Sequence, residues 1–128
     1  MPLAFTFDSQ RDLLMCRASG PITYADIQQH LDDERADRYL GKAELIDATG
    51  ATVAFSGQEV RSLVDSLRHL GEQQRLGSTA VVVSSDVAYG MMRMLEMLVH
   101  GICQIRPFRT TAEAEVWLAE VARPMVKN

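Results

Sequence analysis

Residues 79–94 read TAVVVSSDVAYGMMRM. The first five are apolar on both faces, which places them inside a sheet that is covered on both sides. Ser84, Ser85 and Asp86 follow with side-chain oxygens suited to capping a helix start, and a helix is predicted over residues 87–100. A doubly covered strand that feeds a capped helix belongs to a strand–helix–strand unit. Such units join parallel strands by right-handed crossovers.

Upstream, Ser56-Gly57-Gln58-Glu59 is a capping box. Val60, Leu63, Val64, Leu67 and Leu70 recur after it at helical spacing, and Gly71 and Gly77 end that helix and its tail. Residues 43–47 (AELID) are a strand, and residues 48–55 are a loop holding Thr49 and Gly50. Thr23 caps a helix over residues 24–39, with Asp26 at its third position and Gly41 closing it. Residues 3–7 and 13–17 are β-like runs joined by turn residues, a hairpin, and Gly20-Pro21 breaks the second strand. Downstream, residues 102–105 are a last strand limited by Pro107. Thr110-Thr111-Ala112-Glu113 caps a final helix whose apolar face is Ala114, Trp117, Leu118 and Val121. The expected fold is α/β: a mixed sheet of about five strands with four helices, in the order β-β-α-β-α-β-α-β-α. Residues 79–83 are expected in its middle and residues 3–7 nearer an edge.

The 128 residues suffice for one domain, 1–128. With 47% hydrophobic and 23% charged residues the chain is expected to fold around a core rather than stay disordered. Thirteen Lys and Arg against 17 Asp and Glu leave a net charge of −4, which argues against a phosphate-backbone partner. The opening MPLAFTFDSQRD has neither the basic start nor the apolar run of a signal peptide. No stretch is long and apolar enough for a membrane span. Cys16 and Cys103 lie in apolar segments without a Cys-x-x-Cys spacing, so they read as buried, inert thiols in a cytoplasmic protein.

These segments, with the element order, carry a family resemblance. LIDATG at 45–50, AVVVSSDVAYGMMRM at 80–94 and FRTTAEAEVWL at 108–118 resemble the STAS domain of anti-sigma-factor antagonists and related regulators. The nearer likeness is to SpoIIAA-like bacterial domains, also described as STAS/SEC14-like. The resemblance implies a regulatory or binding domain without catalysis. STAS regulators are switched by phosphorylation within an Asp-Ser-Ser-Gly stretch at a helix start. Here the matching stretch is Phe55-Ser56-Gly57-Gln58, with Gly57 at the phosphorylated position. The resemblance therefore implies that the usual phosphoswitch is absent.

Catalytic constellations are weak. His30, His69 and His100 each fall on a predicted helix, and no Gly-x-Ser-x-Gly elbow accompanies them. They read as surface histidines. His30 with Asp33 and Glu34 has metal-ligand spacing, but a solvated acidic helix face explains it more simply. No metal and no cofactor is expected. The carboxyl edge of the sheet gathers Asp47, Thr49, Gly50, Ser56, Ser84, Ser85 and Asp86, where ligands favour open α/β sheets. Capping alone accounts for Ser56 and Ser85.

The helix over residues 87–100 is the oddity. Tyr89, Arg93, Glu96 and His100 form one narrow polar stripe. At about 100° per residue, Met91, Met94, Leu95 and Leu98 centre on the opposite face, which is expected to pack on the sheet. Met92 and Val99 flank one side, Gly90 and Met97 the other. The apolar arc of about 220° exceeds what one sheet covers, so a homodimer with Met92 or Met97 beside the interface is expected. The candidate binding residues are Ser56, Ser84, Ser85, Tyr89, Met92, Arg93, Met97 and His100. Three functions compete: a domain acting through protein–protein contacts with a regulatory partner or itself, a small-molecule or lipid-binding domain, and an enzyme using Tyr89, Arg93 and His100.

Overall fold

The structure, a computed structural model, describes residues 2–122. The elements are β1 (Leu3–Asp8), β2 (Leu13–Ile22), α1 (Tyr24–Ala36), β3 (Ala43–Val53), α2 (Gly57–Gln73), β4 (Thr79–Val82), α3 (Asp86–Leu98), β5 (Ile105–Phe108) and α4 (Thr111–Val121). The order is the expected one. The sheet runs β1-β2-β3-β4-β5, with β1 antiparallel to β2 and every other pair parallel.

Each of the three parallel crossovers steps in the same direction across the sheet. Right-handed connections therefore put α1, α2 and α3 on one face, and α4 returns over the other. Alternation along β4 serves both layers. Ala80 and Val82 join Leu13, Leu45, Ala114 and Leu118 under α4, while Val81 and Val83 face Ala88 of α3. A second core on the three-helix side joins Val60, Leu63, Val64 and Leu67 of α2 to Leu95 and Val99. Thus β4 is covered on both faces as expected, but it lies next to the edge strand. The middle strand is β3.

Two strands are longer than local signals predict. β2 runs through Gly20-Pro21 to Ile22, and β3 runs through the expected loop to Val53, paired Ser19↔Gly50 to Ile22↔Val53. A register shift between Arg17 and Ser19 and a Gly20 φ of 69° absorb the irregularity. Pro21 is tolerated because β1 pairs with β2 only as far as Ala18, so that side of the strand has no ladder left to complete. Likewise Pro107 lies within β5 instead of ending a strand before it, and β5 is an edge. α1 stops at Ala36, where Asp37 caps it and Arg38 takes a φ of 64°. α2 continues through Gly71 to Gln73. Gly77 is required for contact: a Cβ there would sit 2.0 Å from the Lys42 carbonyl oxygen.

The inner face of α3 also differs from expectation. Ala88, Leu95 and Val99 are buried, with Met91 and Met92 packed beside them, whereas Met94 and Leu98 face outward. The packed stripe is rotated from the predicted centre toward Met92 and Val99, because β5 and α2 together form the surface it meets.

Candidate functional site

Thr23 sets the start of α1 through a full capping box, its Oγ1 accepting from the Asp26 N–H while the Asp26 carboxylate accepts from the Thr23 N–H. One turn apart further along α1, His30 and Glu34 share a face. That face looks inward. His30 is 6% exposed and Glu34 4%. This corrects the reading of both as parts of a solvated surface: the sheet lies opposite, and β3 presents Glu44, also 4% exposed. Glu44 alternates with Leu45, which joins the α4 layer. His30 Nε2 lies 2.8 Å from Glu44 Oε2 and 3.4 Å from Glu34 Oε1. Phe5 of β1 sets its ring edge-on to His30 with centroids 5.5 Å apart.

Burial governs the protonation of this cluster. It raises Glu34, and the neighbouring Glu44 charge raises it further; burial also raises Glu44, while a hydrogen bond with Glu34 opposes that shift. Burial lowers His30 against the pull of Glu34 and Asp33. The Cys16 thiol on β2 is pushed up by burial and by both glutamates. Ligand atoms of Cys16, His30 and Glu44 all lie within 4.8 Å of one another, a set that could hold a metal ion.

The cluster faces a cavity of about 180 Å³ between the sheet and the three helices. Its walls are apolar: Ile27 and Leu31 of α1, Leu63 and Leu67 of α2, Ala88, Met92 and Leu95 of α3, and Ile46, Val81 and Ile105 of the sheet. The extended β2–β3 ribbon adds Ile22, Ala51 and Val53.

The predicted site residues do not converge. Ser56 and Ser85 cap α2 and α3 through the Glu59 and Ala88 N–H groups. Ser84 Oγ donates to the Thr49 carbonyl at 2.9 Å. Tyr89 lies under Arg109, whose guanidinium is 4.5 Å from the ring centroid and also pairs with Asp86 at 2.6 Å. Arg93 pairs with Glu96 at 2.7 Å. His100 lines a depression with Glu96, Arg106 and Trp117. Met92 belongs to the cavity wall, and Met97 is 72% exposed. Polar residues on a helix read as solvent-facing, so the sequence conceals this buried cluster; its one local signal is Glu44 inside the strand AELID.

No family model matches the sequence. No curated protein matches it. Solved structures do. An uncharacterized protein of the DUF3478 family with a SpoIIAA-like fold, from Shewanella loihica PV-4, superposes with a TM-score of 0.59 at 18% identity over 91% of this chain and 93% of that one. The anti-sigma factor antagonist SpoIIAA in its unphosphorylated form gives a TM-score of 0.52 at 12% identity over 91% of this chain and 98% of that one. At such identities the likeness is one of backbone architecture, and on that ground the chain has the SpoIIAA-like α/β fold.

Proposed function

We propose that this chain is a non-catalytic binding domain that holds a small apolar molecule between its sheet and α1–α3. The cavity carries this reading. Protein interiors are close-packed, yet here a space of about 180 Å³, partly open to solvent, is walled by apolar side chains. An apolar ligand seated there removes that surface from water, a gain of roughly 25 cal/mol per Å² covered. Burial pushes both thiols away from the reactive thiolate, Cys103 to about 11, which argues against thiol chemistry at this site. The test is mass spectrometry of protein purified without denaturant. A small apolar compound should be released on unfolding at close to one per chain. Protein free of any compound, and refractory to small apolar probes, would refute the reading.

A second reading rests on a different observation. Among the described residues the exposed large hydrophobics are Val87, Met94, Met97, Leu98 and Val116, four of them on α3. A helix with such a stripe favours association, and a second copy of this chain, pairing α3 with α3, is its proposed occupant. This keeps a protein–protein role beside ligand binding. SpoIIAA itself is described as an antagonist of an anti-sigma factor, so a regulatory partner on the same surface is the form that role would take in a relative of that kind.

A further inference from the structure

The cavity wall is apolar apart from Lys42, Thr52, Thr79 and the cluster of His30, Glu34 and Glu44. That cluster is rich in acceptors and poor in positive charge. Two carboxyl groups offer four oxygens, against one imidazole nitrogen placed between them. The other charged residue on the wall, Lys42, sends its ammonium to Asp12 at 2.7 Å and over the Phe7 ring. Burial disfavours the ionised form of both carboxyls, and among the described residues no Lys or Arg pairs with them. A cation placed beside them offsets that penalty and fills the surplus acceptors.

Taking the cavity as a ligand site, as proposed above, we infer that its ligand is an apolar molecule with a protonated amine head, seated against Glu34 and Glu44. An ammonium brings three donors to the surplus acceptors and a positive charge that favours the ionised form of a neighbouring carboxyl. A carboxylate or phosphate head would meet two carboxyl groups and no free cation. A plain hydrocarbon would leave the surplus acceptors unanswered. The volume suits a small apolar part: a dry cavity of about 150 Å³ accommodates benzene, so 180 Å³ takes one ring with a short arm. No bond is made or broken in this binding.

The experiment compares four probes that share a ring and differ in the head: benzylamine, benzyl alcohol, toluene and benzoate. Each is titrated calorimetrically into the intact protein near neutral pH, where the amine is protonated. Benzylamine should bind at least about tenfold more tightly than benzyl alcohol or benzoate, a difference of about 1.4 kcal/mol. Glu44→Gln should reduce benzylamine to the level of benzyl alcohol while leaving benzyl alcohol within about twofold. Glu34→Gln serves the same purpose should the first variant fail to fold, and the wild-type series decides alone should both fail. Benzoate binding as well as benzylamine, or an amine preference that survives in both folded variants, would overturn the inference. Toluene and benzyl alcohol binding without any preference for the amine would overturn it and leave the cavity reading standing. If none of the four binds, both fall.

Discussion

Glu44 on β3 and His30 on α1 meet at 2.8 Å, both almost wholly out of water. The contact ties the first crossover helix to the middle strand of the sheet. It also lies at the polar end of an otherwise apolar cavity. Such a pair stabilises little compared with well-packed apolar groups, because both partners lose hydration. Its cost to folding is therefore understandable if the cluster serves a ligand.

Breaking the pair one-sidedly should be expensive. His30→Ala leaves Glu44 without its partner and should destabilise by about 2–3 kcal/mol. Replacing His30, Glu34 and Glu44 together by Leu should cost less than that single change, since no polar group of the cluster is then left unmatched. Urea denaturation of the two variants and the wild type tests this. A triple variant weaker than His30→Ala would show that the cluster contributes net stability.

The raised carboxyls fix the sign of the pH dependence. Glu34 and Glu44 hold protons in the folded state that the unfolded chain releases above its ordinary value of 4.5. Stability from these groups is therefore full at low pH and is lost as pH rises toward their raised values. His30 acts oppositely: its lowered pKa makes stability fall as pH drops below the ordinary 6.5. Above about pH 7.5, a unit beyond the ordinary value, the imidazole is neutral in both states, so the slope there belongs chiefly to Glu34, raised to about 9, and is downward. Glu34→Gln should flatten it and gain at least about 1 kcal/mol at the alkaline end, the worth of roughly one pKa unit. Urea midpoints that stay level across this range in the wild type would contradict the assignment.

Helix starts were legible in the sequence because a cap is a contact over three residues. Thr23, Ser56, Ser85 and Thr110 each accept from the expected backbone N–H. The doubly apolar run at Thr79–Val82 likewise announces a strand covered on both faces. What escaped depends on partners distant in the chain. Gly20 and Pro21 argue locally against a strand, yet the ladder to Ala51 and Thr52 holds them in one. Glu34 and His30 look solvated until Glu44 and Phe5 are brought opposite them.

Ser56 gives a test of cap against switch. Its Oγ accepts from the Glu59 N–H at 3.1 Å, and the Glu59 carboxylate accepts from the Ser56 N–H at 2.9 Å. Ser56→Ala should cost about 1 kcal/mol, and Ser56→Asp should be close to neutral because Asp caps as well as Ser. Thermal denaturation with unchanged circular dichroism checks both. A Ser56→Asp variant that folds normally yet changes self-association or partner binding would indicate a charge-sensitive surface at this cap.

The α3 stripe separates core from interface by which methionine is changed. Met97 is 72% exposed and Val87 71%, so glutamate at either position meets water in the monomer. Met92 lines the cavity and packs against the core of α2 and α3. Met97→Glu with Val87→Glu should leave the monomer folded and weaken dimerisation. Met92→Glu should instead lower stability by about 2–4 kcal/mol, since a carboxylate enters an apolar wall. Size exclusion with light scattering at matched concentrations reads the first effect, and urea denaturation reads the second. A wild-type protein that stays monomeric at high concentration would remove the dimer and leave the stripe without its proposed occupant. A Met97→Glu, Val87→Glu protein that unfolds would place those side chains in the fold's own packing, against their exposure here.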